Sequence, residues 1–170
     1  MLPCDLETIA RPIDYLGLNY YSRAVVRKAD GGMGFEWVRP PGVERTTMDW
    51  EVYPQGLEDI LRAFKARYGA KLPPVFITEN GMSSDDTLQG GRCDDAQRRS
   101  YLKRHLAALA RAVDAGVDVR GYFVWSLLDN FEWAFGYERR FGIVHVDYAT
   151  QQRTPKDSAR AYAAFLRSRR

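Results

Sequence analysis

The sequence predicts an α/β fold, and three observations predict it. Three β-rich stretches, "DYLGLNYY", "PVFIT" and "VRGYFVWSLL", each lead into a loop and then a segment with helical spacing of apolar residues. Strands alternating with helices imply parallel βα units joined by right-handed crossovers. The third stretch is nearly continuous in apolar residues, as a strand covered on both faces should be.

Taken in order, the first strand is expected over residues 14–21. The polar, Gly- and Pro-rich loop that follows, to about residue 54, holds "AVVRK" and "FEWVRP", which suit a short hairpin. A first helix is predicted from Gln55 to Tyr68, with Leu57, Ile60, Leu61, Phe64 and Tyr68 as its apolar stripe. After the second strand, the loop "ENGMSSDDTLQGGRC" leads to a second helix. Asp94 and Gln97 read as its capping box, Leu102, Leu106, Leu109, Ala110 and Val113 as its buried face, and Gly116 as its stop. After the third strand, "IVHVDYATQQRTPK" alternates like a hairpin with a turn near Thr150 and Gln151. A last helix follows Pro155, with Ala159, Tyr162, Ala163 and Leu166 on one face.

At 170 residues the chain has one domain's worth of length, and 45% hydrophobic with 28% charged residues is ordinary for a globular protein. A net charge of +3 with scattered basic residues gives no nucleic-acid footprint; the cluster at Arg167, Arg169 and Arg170 suits a solvated helix end. No apolar run approaches the roughly 20 residues of a membrane span. The segment "MLPCDLETIARP" lacks the pattern of a signal peptide. Cys4 and Cys93 lie far apart and match no metal spacing, so two unpaired thiols and a cytoplasmic location are expected. No metal or other cofactor is expected, because GxGxxG and Walker loops are absent and the two histidines, His105 and His145, suit structural or solvated roles.

The stretch "VFITENG" raises the functional question. A strand runs directly into Glu79, and Asn80-Gly81 reads as a turn pair. Glu79 is either a solvated turn residue or a carboxylate held at the mouth of a parallel sheet, where α/β proteins gather their chemistry. The loop mouths also supply Glu132, Trp50, Trp125, Trp133, Asn19 and Tyr21. Aromatic rings cover the flat faces of sugars while carboxylates and amides bind their hydroxyls, so this set suits a carbohydrate better than a phosphate. The loop "NFEWAFGYERRFG" reads equally well as an aromatic core segment with surface charges.

The stretches "IDYLGLNYYSR", "PPVFITENGM" and "GYFVWSLLDNFEWAFGYERRFGIVHVDYATQQRTPKDSA" resemble, in order, the C-terminal part of a family 1 glycoside hydrolase, the β-glucosidase and β-galactosidase family. The resemblance implies a partial eight-stranded (β/α) barrel, a TIM barrel, comprising strands six to eight and a β-hairpin in a single partial domain over 1–170. It implies that Glu79 is the catalytic nucleophile, that the Tyr21 hydroxyl hydrogen-bonds it, and that Asn19 lies close by. Trp125, Glu132 and Trp133 match the subsite for the non-reducing sugar, and Phe141 a further wall of it. Trp50 resembles the tryptophan on the leaving-group side, although Asp49 stands where the family often has Gly. A retaining glycosidase needs an ionised carboxylate to attack the anomeric carbon, and a phenol donor stabilises that form.

The family's acid/base glutamate lies in a "TxNEP" motif, and no "NEP" occurs here. The sugar-binding residues of the family's earlier strands are also absent. A full barrel is typically about 250 residues. The expectation is a β-glucosidase-like hydrolase fragment for a β-glucoside or β-galactoside, inactive alone, that self-associates or awaits a complementing N-terminal barrel piece. The alternative is a non-catalytic carbohydrate-binding or partner-binding remnant. Neither reading calls for a nucleic acid or a membrane.

Overall fold

The structure, a computed structural model, describes residues 2–168. Its centre is a parallel three-stranded sheet in the order β1 (Leu16–Asn19), β4 (Val75–Asn80), β5 (Val119–Val124). Between β1 and β4, the strands β2 (Val26–Lys28) and β3 (Phe35–Trp37) form the expected antiparallel hairpin, and the helix α2 (Pro54–Tyr68) follows. Helix α3 (Ala96–Asp114) joins β4 to β5. The strands β6 (Val144–Val146) and β7 (Arg153–Pro155) form the second hairpin, before helix α4 (Asp157–Arg167). A short helix α1 (Asp5–Ile9), which the sequence reading missed, precedes β1. The fold is α/β, and the sheet is open rather than a closed barrel.

One face of the sheet is packed. Val75 and Ile77 of β4 meet Leu57 and Leu61 of α2 and Leu109 and Ala112 of α3, all removed from water. At roughly 25 cal/mol per Å² of apolar surface, this cluster is the main stabilising term for the βα units. A second cluster joins Tyr101 and Leu102 of α3 to Val52, Met82 and Ile143, with Ala159 and Tyr162 of α4 packed against it.

The opposite face of the sheet is open, which corrects the two-sided cover expected of the third strand. Phe123 stands exposed on β5, and Gly121 lies so close to the Phe76 ring that a Cβ would sit 2.4 Å from its Cδ1. The strand is also shorter than expected, ending at Val124 instead of running to residue 128. The reason is a change of partner. The Ser126 amide donates to Phe141, while the Ile143 and Val144 amides donate to Ser126 and Leu127, so the chain leaves β4 for the 141–144 segment. The first strand is likewise shorter than residues 14–21.

Helix boundaries and faces differ in detail. The expected capping box does not form: the N-cap is Asp95, with no side-chain cap bond. Asp94 pairs with Arg99, while Gln97 donates across to Glu44 and to the Arg45 carbonyl. Long-range partners win over the local cap. The buried face of α3 is Arg98, Tyr101, Leu102, His105, Ala108, Leu109 and Ala112; Ala110 and Val113 are exposed. Packing between α2 and the sheet on one side and α4 on the other sets this face. Tyr68 of α2 and Leu166 of α4 are exposed, unlike the rest of their predicted stripes, and each lies in the last turn of its helix.

Candidate active site

Register irregularities at the carboxyl ends of β1 and β4 place Asn19 opposite Glu79. Such irregularities re-aim side chains beside functional sites. The Tyr21 hydroxyl, on the segment leaving β1, donates to Glu79 Oε2 at 2.5 Å. Burial first, and then the bond to Glu79 and its charge, push the Tyr21 phenol far above its ordinary range, so it stays protonated and donates. Glu79 is half-buried, not a solvated turn residue.

Tyr21 also anchors a three-ring cluster drawn from separate loops. Its ring centroid lies 5.3 Å from Trp50 and 6.2 Å from Phe141, and Trp50 lies 6.0 Å from Phe141. Phe141 is buried and Trp50 half-buried. Glu132 lies near enough to feel Glu79: burial, then the Glu79 charge, raise its carboxyl above the usual range. Thus Glu79, Tyr21, Glu132, Trp50 and Phe141 converge.

The other candidates stand differently. Asn19 accepts from Thr78 Oγ1 at 2.6 Å, so it neighbours Glu79 through the sheet register. Trp125 is half-buried at the end of β5, and its amide donates to the Asn80 carbonyl. Trp133 is 84% exposed, on a single 3₁₀ turn with a left-handed φ of 41°. It stands at the rim, apart from the three-ring cluster.

The turn reading of Asn80-Gly81 is corrected. Asn80 is the last residue of β4 and fully buried. Gly81 passes under the carbonyl of Trp125, where a Cβ would lie 1.7 Å from that oxygen. Close backbone approach, not turn geometry, requires glycine there.

A buried ion network, missed by the sequence reading, holds the loops behind the site. Asp129 accepts from Lys156 at 2.7 Å, from Arg140 at 2.6 Å and from the amide of Gly142. Lys156 also pairs with Asp86, which Arg98 holds at 2.7 Å. Arg98 bonds Asp95 at 2.6 Å and the carbonyls of Met82 and Arg140. Burial opposes ionisation at Asp86, but Arg98 and Lys156 outweigh it and hold its carboxyl below the usual range. The network ties the loop after β4 to the loop carrying Glu132 and Phe141. The signal was present as charges in "ERRFG" and "TPKDS".

Both histidines are buried. Cys4 is exposed, Cys93 is buried, and both are free, with burial pushing the Cys93 thiol up to about 11. Among the described residues no cluster of His, Cys, Asp and Glu has the makings of a metal site, and no helix is long and apolar enough to cross a membrane.

The profile of the family described as Glycosyl hydrolase family 1 matches residues 3–170. The chain is 45% identical over 166 residues to a β-glucosidase A of Thermotoga maritima, covering 96% of this chain and 36% of that protein. It is 41% identical over 181 residues to a bifunctional β-D-glucosidase/β-D-fucosidase of Bifidobacterium breve, covering 95% and 39%. Among solved structures, the GH1 β-glucosidase of Exiguobacterium antarcticum superimposes with a TM-score of 0.94 at 40% identity, over 99% of this chain and 37% of that one. The Thermotoga maritima family 1 β-glucosidase in complex with isofagomine lactam gives 0.90 at 44% identity, over 96% and 36%. The chain therefore spans little more than a third of the length of these relatives.

Proposed function

Because the chain belongs to glycosyl hydrolase family 1, we propose that it carries the nucleophile side of a retaining β-glucosidase site. The observation that carries this reading is the Tyr21–Glu79 hydrogen bond at the carboxyl end of a parallel sheet, ringed by Trp50, Phe141 and Glu132. In this reading β1, β4 and β5 are strands six, seven and eight of the barrel.

Glu79 attacks the anomeric carbon of a β-glucoside or β-galactoside, and the glycosidic bond breaks as a glycosyl ester forms. The Tyr21 hydroxyl holds one carboxylate oxygen in place, leaving the other for attack. Glu132 accepts hydrogen bonds from hydroxyls of the non-reducing sugar, and Trp125 and Trp133 pack on the face of that sugar. Trp50 lies toward the leaving group. Asn19, paired with Glu79 in the sheet register, lies close to the nucleophile. A second carboxyl group roughly 5 Å from the nucleophile must protonate the leaving oxygen. We assign that role to no residue of this chain; a complementing set of βα units supplies it. The exposed Phe123, Leu127 and Phe131 beside the site favour such a partner polypeptide.

A dinitrophenyl β-D-glucoside tests the proposal, because its leaving group needs little acid assistance. The expected result is a burst of dinitrophenolate stoichiometric with the chain, then slow turnover that azide accelerates, yielding the β-glucosyl azide. A folded chain that gives no burst overturns it.

A further inference from the structure

We propose that Asn80 is a positioning residue for the Tyr21–Glu79 pair, gripping the backbone that carries Tyr21 through a buried relay of hydrogen bonds. The inference deepens the reading above, although the geometry it explains exists without a sugar.

Asn80 follows Glu79 on β4, so their side chains leave the strand in opposite directions. Glu79 faces the site, whereas Asn80 is 0% exposed. Its Nδ2 donates to the Tyr20 carbonyl at 2.6 Å and to the Tyr101 hydroxyl at 3.0 Å. Its Oδ1 accepts from the Tyr122 hydroxyl at 2.6 Å. The Tyr101 hydroxyl in turn donates to the Tyr21 carbonyl at 3.2 Å.

The direction of every bond is forced. A backbone carbonyl only accepts, so the atom facing Tyr20 is the amide nitrogen. Tyr101 has one proton, and the Tyr21 carbonyl takes it, so Tyr101 must accept from Asn80. The remaining amide oxygen then requires a donor, and Tyr122 is one. No other side chain of this size supplies two donors and an acceptor in this plane.

The consequence falls on Tyr21. Its peptide is held at both carbonyls, one directly by Asn80 and one through Tyr101. The Tyr20 amide also donates to the Glu79 carbonyl at 2.9 Å. The phenol and the carboxylate it meets are therefore referred to a common buried anchor. The partners lie 60, 21 and 42 residues from Asn80 in sequence, which excludes a local turn role. Asn80 touches neither Glu79 Oε2 nor the sugar position, so it acts through Tyr21.

The test follows Tyr21 by NMR of tyrosine labelled at Cζ, its signal assigned with Tyr21→Phe, in the wild type, Asn80→Ser and Tyr101→Phe. Covalent labelling by 2,4-dinitrophenyl 2-deoxy-2-fluoro-β-D-glucoside is timed in parallel. In both variants the Tyr21 signal is expected to shift and titrate at lower pH, with labelling slowed about tenfold or more. Tyr101→Phe removes one oxygen and keeps the ring that stacks on His105, so it carries the test if Asn80→Ser does not fold. Folded variants whose Tyr21 signal and titration match the wild type overturn the inference, whatever their stability. A wild type that takes no label while the Tyr21 signal responds as expected defeats the proposed function and leaves this inference standing.

Discussion

Replacing Tyr21 by Phe removes a single oxygen and leaves Glu79 Oε2 without the donor it now has at 2.5 Å. Aimed donors of this kind contribute on the order of a hundredfold to a catalytic rate. Tyr21→Phe is therefore expected to slow fluoroglucoside labelling about a hundredfold while the circular dichroism stays unchanged. Unaltered labelling would separate Tyr21 from the chemistry. His105 makes a different residue-scale prediction. Among the described residues its Nε2 has no hydrogen-bond partner, its ring stacks on Tyr101, and burial lowers its value from 6.5 to about 4. Between those values the unfolded chain binds a proton that the folded chain refuses. The contribution is thus full above about pH 6.5 and lost as pH falls toward 4, a change on the order of 3 kcal/mol. Urea midpoints should fall over that window in the wild type and less steeply in His105→Phe; parallel slopes would contradict the assignment. Tyr21 and Glu79 were legible because each sits in a distinctive stretch at a strand end. Asn80 was not, since an Asn-Gly pair usually marks a turn and only distant partners reveal the buried role.

At the scale of elements, the loops after β4 and β5 are fixed by Lys156. Its ammonium is fully buried between Asp86 and Asp129. Lys156→Met leaves two buried carboxylates short of a partner, and breaking such a pair costs roughly 3–5 kcal/mol. Denaturant unfolding should show that loss, and a change below about 1 kcal/mol would mean that Arg98 and Arg140 suffice. The β-hairpins and the cores of the helices were legible from alternation and helical spacing. The cap of α3 was not: Asp94 and Gln97 have the right spacing, but Arg99 and Glu44 engage them instead. The end of β5 was hidden for a similar reason, since the apolar run continues past Val124 while its hydrogen-bond partner changes.

Among the described residues the molecule has one packed sheet face, one open face, and free edges at β1 and β5. Free parallel edges beside exposed Phe123 and Leu127 favour association. Sedimentation velocity should show species heavier than the 19.5 kDa monomer, growing with concentration. A concentration-independent monomer would show that these surfaces tolerate water. The α/β class was legible from the order of strands and helices, whereas the open face was not. Apolar strand residues read alike whether a second layer covers them or not.

The proposed function rests on Glu79 as a nucleophile aimed at a sugar. The most direct measurement is intact mass after incubation with 2,4-dinitrophenyl 2-deoxy-2-fluoro-β-D-glucoside, followed by peptide mapping. One fluoroglucosyl group per chain, located on Glu79 and absent from Glu79→Gln, is the predicted result. A folded chain with no added mass, or with the label on another residue, would contradict the account.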